Sequence, residues 1–243
     1  MKNLIILVFT IVILTSCENN EKPKVIYPEN GKIENLELKK DSTLIKIADL
    51  PIHIDSTKYL IHPIGEYEIY NYRGSSSSSS GYFSSSSYGS GSFDISRFNS
   101  YEITGNLYNL KFEEIESEKT RLLTEKNIRI KSVEFLNEIF KKNGEQFLVY
   151  RVLDKDSNRD KVLDHSDIST LYISNIDGTK FTKLTAEFHE LIDWKVIPIK
   201  NRLYFRSVED SNKNGIFDKE DLISYQFIDL SDKEWKVKKY KGI

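Results

Sequence analysis

Two stretches of the chain repeat one pattern of polar residues. The first is Asp156-Ser-Asn-Arg-Asp-Lys-Val-Leu-Asp-His-Ser-Asp167, and the second is Asp210-Ser-Asn-Lys-Asn-Gly-Ile-Phe-Asp-Lys-Glu-Asp221, which begins 54 residues later. Oxygen-bearing side chains fall at positions 1, 3, 5, 9 and 12 of both stretches. Ca²⁺ takes oxygen ligands at this spacing, with a main-chain carbonyl at position 7, so each stretch predicts a twelve-residue calcium loop.

The sequence predicts six ligands in each loop, with calcium as the cofactor of both. In the first loop (residues 156–167) they are Asp156, Asn158, Asp160, the carbonyl of Val162, Asp164 and Asp167; in the second loop (residues 210–221) they are Asp210, Asn212, Asn214, the carbonyl of Ile216, Asp218 and Asp221. The second loop has Gly215 at the sharp turn of position 6, where the first has Lys161. The first loop instead offers four carboxylates against three, so the ranking of the two sites stays open. Asp154 could replace Asp156 if the register shifts by two residues.

The residues on either side of each loop are typical of strands. Runs of β-branched and aromatic residues precede the loops at 146–153 and 203–208, and similar runs follow them at 168–174 and 222–230. An EF-hand would need a helix on each side. Each EF-hand-like loop is therefore predicted to join two adjacent antiparallel strands. The alternative is that Asn, Asp and Gly serve here only as turn formers in solvated hairpin ends.

Composition limits the class of protein. The chain has 243 residues, of which 39% are hydrophobic and 12% aromatic, and these values are typical of a globular domain. Tyr and Phe number 14 and 13 against a single Met, which favours β-sheet over a helical bundle. The net charge is −2 and the basic residues are dispersed, so nucleic acid is not an expected partner. The sequence lacks Gly-x-Ser-x-Gly and His-Glu-x-x-His, and we expect no catalytic residues and no enzyme activity.

The first residues are typical of an export signal. A short basic start precedes an apolar run at 4–14 that is too short to cross a bilayer as a helix, and small residues stand just before Cys17. This order resembles the lipobox of bacterial lipoproteins. The resemblance implies that residues 1–16 are a signal peptide and that Cys17 is lipidated. The protein would then be anchored in the bacterial cell envelope, with the outer membrane as its expected location.

Two segments of the chain are predicted to be flexible. Residues 17–34 contain the lipidated cysteine followed by a polar, proline-containing tether. Residues 35–243 are predicted to form one all-β domain. Within it, residues 74–92 are almost entirely Ser, Gly and Tyr, which predicts a disordered insertion because such a segment buries little apolar surface.

Hairpins recur in the second half of the chain. A strand, a polar turn and a short strand follow one another at 107–124, 171–185 and 224–237. A unit of about four short strands that repeats at roughly 50 residues is typical of propeller blades. The stretch 171–185 has the turn Asp177-Gly178 and ends in Leu-Thr, and it resembles the WD40-like repeat of TolB-type β-propellers.

This resemblance covers residues 105–240 and implies an all-β, β-propeller-like fold of about four blades of antiparallel strands, with calcium-loop hairpins. The third hairpin lacks the Asp-Gly turn, and calcium loops between blade strands resemble integrin-type propellers instead. Propellers of these kinds usually bind a partner.

The function predicted from the sequence is therefore that of a membrane-anchored, non-catalytic calcium-binding lipoprotein with a binding or scaffolding role. Its expected partners are the membrane, through the lipid on Cys17, and a protein or glycan. One alternative is an accessory subunit of an outer-membrane transport, secretion or assembly complex. A second alternative is an envelope hydrolase that acts on glycan or peptide through a pair of carboxylates.

Overall fold

The computed structural model describes residues 22–27, 38–39, 44–69, 83–84 and 95–242. The predicted signal peptide, Cys17 and the predicted insertion at 74–92, apart from a two-residue strand, lie outside these residues. The described strands are β1 (Leu44–Ala48), β2 (Ile52–His53), β3 (Tyr59–Ile69), β4 (Phe83–Ser84), β5 (Ser96–Asn99), β6 (Glu102–Leu107), β7 (Asn109–Glu114), β8 (Thr120–Leu122), β9 (Arg129–Phe135), β10 (Phe147–Leu153), β11 (Thr170–Asn175), β12 (Thr182–Lys183), β13 (His189–Ile197), β14 (Arg202–Glu209), β15 (Leu222–Asp229) and β16 (Lys238–Lys239).

These strands form three antiparallel sheets. The first has the order β1-β3-β7-β8, with β2 and β4 also paired to β3; the second has the order β12-β11-β10-β9-β6-β5; and the third has the order β13-β14-β15-β16. The predicted all-β class is therefore confirmed.

A single short α-helix, α1 (Asn137–Asn143), and a 3-10 turn (Pro198–Lys200) complete the described elements. Helix α1 was not predicted from the sequence; it ends at Gly144, which has the left-handed conformation. Among the described residues no helix has the length and apolar character needed to cross a membrane.

The second sheet lies between the other two and is buried on both faces. Successive side chains of a strand point to opposite faces, so Leu148 and Tyr150 of β10 pack with Phe112 in one core. Val149, between them, packs with Phe205 of the third sheet in a second core. Burial on both faces explains why β10 is an almost continuous apolar run.

Two units of the fold repeat in tandem. Strands β9 to β12 pair in sequence order within the second sheet, and strands β13 to β16 pair in the same way to form the third sheet. The first loop connects β10 to β11, and the second loop connects β14 to β15, so each lies between the second and third strands of its unit. Both loops therefore join adjacent antiparallel strands, as the sequence predicts.

Candidate functional site

The aspartate at position 1 organises the start of each loop. In the first loop, the Asp156 carboxylate accepts the main-chain N–H groups of positions 5 and 6, at 3.2 and 2.8 Å. In the second loop, Asp210 accepts the same two groups, at 3.1 and 2.7 Å. The two loops therefore fold around their first side chain in the same way.

The side chains at positions 3 and 5 continue this shared pattern. Asn158 and Asn212, at position 3, accept the N–H group of position 5 at 3.0 and 2.9 Å. Asp160 and Asn214, at position 5, accept the N–H group of position 7 at 2.7 and 2.8 Å. In each of these hydrogen bonds, the side-chain oxygen points back toward the main chain of its own loop.

The carboxylate at position 12 closes each loop. Asp167 accepts the N–H groups of positions 2 and 9 at 2.6 and 3.0 Å, and Asp221 accepts the same two groups, both at 2.9 Å. Asp164 and Asp218, at position 9, each accept the N–H group of position 11 at 2.8 Å. The two loops thus share every one of these contacts, although their sequences differ at seven of the twelve positions.

The main chain of both loops turns through the left-handed region at the same two places. At position 4, φ is 62° for Arg159 and 57° for Lys213. At position 6, φ is 70° for Lys161 and 82° for Gly215. A non-glycine residue in this region costs about 1–3 kcal/mol. The first loop therefore carries strain at position 6 that glycine removes from the second.

The predicted ligands supply the oxygen chemistry that Ca²⁺ prefers. Val162 and Ile216, at position 7, have hydrocarbon side chains, so only their main-chain carbonyls qualify as ligands there. Among the described residues, no group of three or more His, Cys, Asp and Glu side chains is arranged to hold a metal ion. The predicted calcium ligands of each loop also include side-chain amide and main-chain carbonyl oxygens. An ionised carboxylate has lone pairs for about four contacts, so the two hydrogen bonds that Asp156 and Asp221 each accept leave capacity for a cation.

Burial gives the position-12 carboxylate of the first loop an unusual protonation equilibrium. Asp167 is only 1% exposed. Burial raises its pKa to about 6, although the N–H groups of Asp164, Ser157 and Asn158 lower it. A buried carboxylate is costly when ionised unless positive charge compensates it. A cation in the first loop would supply that charge.

Asp154 lies outside the first loop. Its Oδ2 atom accepts the Tyr172 hydroxyl at 2.7 Å and pairs with the Lys183 ammonium at 2.8 Å. Its other oxygen, Oδ1, is buried and has no hydrogen-bond partner among the described residues. The main-chain contacts of Asp156 therefore define the start of the loop, and the alternative register beginning at Asp154 does not form.

A segment from the predicted tether lies between the two loops. We call residues 22–27 the clasp. The N–H group of Lys24 donates to the carbonyl of Ser166 at 3.1 Å, and that of Ile26 donates to Ser157 at 2.7 Å, both in the first loop. Between them, the N–H group of Val25 donates to Gly215 of the second loop at 3.0 Å. The clasp part of the predicted tether is thus held against both loops.

Side chains reinforce the contact of the clasp with both loops. Val25 is only 2% exposed. The Ser157 hydroxyl donates to the carbonyl of Lys24 at 2.6 Å. On the other side, burial and then a hydrogen bond to Asp210 raise the pKa of the Tyr27 hydroxyl. This role of the clasp was not predicted, although the run Val25-Ile26-Tyr27 within a polar segment is a strand-like signal.

A cleft of about 700 Å³ lies away from the loops, where β6 and β9 face β13. Glu102 and Glu134 line it and stand directly opposite each other on neighbouring strands. Burial raises the pKa of Glu134, and the charges of Glu102 and Glu138 raise it further. Trp194 contributes an aromatic wall. The cleft therefore combines a facing pair of carboxylates with an apolar surface.

Comparison with known proteins assigns no family. No protein-family model matches the chain, and no curated protein matches its sequence.

Replacing Gly215 should weaken the contact between the clasp and the second loop. A Cβ atom added at Gly215 would lie 2.4 Å from the carbonyl oxygen of Val25, whereas one added at Gly144 would meet nothing within 4 Å. Both glycines have a left-handed main chain, with φ of 82° and 80°. Gly144→Ala should cost about 1–3 kcal/mol of unfolding free energy from main-chain strain alone. We expect Gly215→Ala to cost at least about 1 kcal/mol more.

Urea unfolding of both variants measures this difference, and amide exchange at Val25 reports clasp release directly. Equal losses of stability, with unchanged exchange at Val25, would show that the clasp contact contributes nothing.

Glu190 should make stability depend on pH near neutrality. Its carboxylate accepts the N–H group of Ser169, just after the first loop, at 2.5 Å. Burial raises its pKa from 4.5 to about 7, although the hydrogen bond from Ser169 lowers it. A carboxyl with a raised pKa contributes stability that is present below pH 4.5 and lost as the pH rises through 7. Glutamine at position 190 cannot titrate. The free energy of unfolding of Glu190→Gln, measured relative to that of the parent protein, should therefore rise between pH 5 and 8.

Unfolding in urea at several pH values checks this expectation. Asp193→Asn is the control, because a hydrogen bond from Arg206 lowers the pKa of Asp193 and places its titration below this range. The stability of that variant relative to the parent should stay constant from pH 5 to 8. A constant difference for Glu190→Gln as well would contradict the assignment.

Proposed function

We propose that this chain is a membrane-anchored, non-catalytic lipoprotein that binds two calcium ions and uses its β domain for binding or scaffolding at the bacterial envelope. The observation that carries the proposal is the hydrogen-bond pattern common to both loops. Two independent hairpins place oxygen atoms at the same five side-chain positions and hold them by the same main-chain contacts. Turn-forming propensity alone explains polar residues in a hairpin, but not a twelve-residue pattern that repeats in this detail.

Electrostatics supports a cation in both loops. The first loop gathers four carboxylates at ligand positions and the second gathers three, and like charges held close together destabilise a fold. Asp167 and Asp210 are also nearly buried, at 1% and 3% exposure. A divalent ion would relieve repulsion and compensate the buried charge, and its binding free energy would add to the free energy of unfolding. Extracellular calcium is abundant enough for weak sites to fill.

The proposed anchor is a lipid on Cys17, which follows a basic start, an apolar run and small residues. Several acyl chains together give durable attachment to a membrane. We propose the outer membrane as the location.

We also propose that the tandem units are propeller blades, with about four blades in the whole domain. Four consecutive antiparallel strands in each unit, with the loop in the same place, support this interpretation. A blade-based domain would present its partner, a protein or glycan, with a rigid surface.

The calcium proposal predicts a specific gain in thermal stability. At a calcium concentration a hundredfold above the dissociation constant, each site adds about 2.7 kcal/mol, or roughly 5–10 °C in Tm for a chain of this size. Asp210→Ala and Asp221→Ala should remove the part of this gain that belongs to the second loop. Both carboxylates also accept main-chain hydrogen bonds, so both variants should melt earlier even in chelator. The quantity to compare is therefore the rise in Tm on adding calcium.

Differential scanning calorimetry with calcium, with magnesium and with chelator checks this expectation. The matched control is Glu220→Ala, which removes one negative charge at position 11 of the same loop, where no ligand is predicted. The Glu220→Ala variant should keep the full rise in Tm on adding calcium. If the parent protein has the same Tm in all three solutions, the calcium proposal is wrong.

A second candidate function is hydrolysis of a glycan or peptide in the cleft. The facing pair Glu102 and Glu134 favours it, because the raised pKa of Glu134 suits a general acid. Under this candidate, Glu134→Gln should lower the release of soluble fragments from cell-wall glycan at least ~100-fold, while Glu220→Gln should not. The assay is fragment release measured by chromatography, and no release by the parent protein removes the candidate.

A further inference from the structure

The clasp makes its contacts at main-chain positions that alternate with the predicted ligands. Gly215, whose carbonyl accepts the Val25 N–H group, lies between ligand positions 5 and 7 of the second loop. In the first loop, Ser157 lies between ligand positions 1 and 3, and Ser166 stands directly before position 12. Docking of the clasp therefore fixes the main chain from which ligand side chains project in both loops.

The clasp also reaches the ligands through side chains. Tyr27 hydrogen-bonds Asp210, which is position 1 of the second loop. In the first loop, the hydroxyl of Ser157 contacts both the Lys24 carbonyl at 2.6 Å and the Asp167 carboxylate at 3.2 Å. One short segment is thus connected to the opening carboxylate of one loop and to the closing carboxylate of the other.

We propose that the clasp couples the two loops, so that ions in the loops favour clasp docking and a docked clasp strengthens ion binding in both loops. This inference rests on the proposed calcium function. Free-energy coupling between two binding events is reciprocal, so any stabilisation that ions give to the docked clasp returns as tighter ion binding. Because one clasp touches both loops, filling either loop favours docking and thereby favours filling of the other.

The position-6 carbonyl of the first loop has a related contact. The N–H group of Lys39 donates to the carbonyl of Lys161 at 2.9 Å, and this bond corresponds to that between Val25 and Gly215. Among the segments that the structure describes, however, it is the clasp that contacts both loops within three consecutive residues. The proposed coupling therefore runs through the clasp.

The test compares calcium binding by the full-length chain in detergent and by clasp variants. Val25→Asp places a charge at a site that is 2% exposed and should release the clasp. Ile26→Ser is the matched control, because the neighbouring side chain is 51% exposed. Tyr27→Phe removes only the hydroxyl that bonds Asp210 and serves if Val25→Asp does not fold. Isothermal titration calorimetry gives affinity and cooperativity, and amide exchange at Val25 and Ile26 reports docking.

The parent protein and Ile26→Ser should bind two calcium ions cooperatively, and calcium should slow exchange at Val25 and Ile26. Val25→Asp should bind at least ~5-fold more weakly and without cooperativity, and Tyr27→Phe should show a smaller loss of affinity in both loops with reduced cooperativity. Calcium binding of equal affinity in all variants would overturn the coupling while leaving the calcium function intact. An absence of calcium binding in the parent protein would overturn both.

Discussion

Burial of the second sheet on both faces is the constraint on which the rest of the structure depends. Alternate residues of β10 enter two different cores, so Arg151, at the cleft, is the one charged side chain in that strand. The two long polar loops are instead placed at strand ends. The two tandem units place their long connections at equivalent points, between the second and third strands. Both loops then lie close enough for one six-residue segment to contact them together.

The two loops reach one geometry by different means. The second loop has glycine at the left-handed position 6, and most of its side chains are exposed. The first loop accepts strain at Lys161 and buries its closing carboxylate, Asp167. Strain and unfavourable burial persist only where surrounding contacts compensate for them. Here the compensation comes from the main-chain donors around Asp167 and from the clasp against Ser157.

Local features of the fold could be read from the sequence. Strands on both sides of the loops were predictable because alternation and β-branched residues are local signals, and the inward hydrogen bonds of Asp156 and Asp210 follow from their spacing. The arrangement of the sheets was less accessible, since β6 pairs with β9 across an intervening hairpin. Helix α1 was missed because seven residues hold too few turns to show a period.

The clasp was harder to predict for a different reason. Its contacts join residues more than 130 positions apart, as between Lys24 and Ser157, and most of them use main-chain atoms. Main-chain contacts cannot be recognised from the sequence, except that a residue donating its N–H group cannot be proline. Tyr27 carries the side-chain contact to the second loop, but a tyrosine in a polar segment does not by itself indicate its partner.

The position of the clasp also sets a length scale above the membrane. Lys22 lies five positions along the chain from Cys17, and an extended chain of that length spans at most roughly 18 Å. With a lipid on Cys17 and the clasp docked, both loops would be held near the lipid headgroups. With the clasp released, the next contact to a loop among the described residues is at Lys39, 22 residues from Cys17, which allows a reach of roughly 75 Å. The same six residues would then decide whether the domain stays at the membrane surface or moves away from it by more than its own diameter.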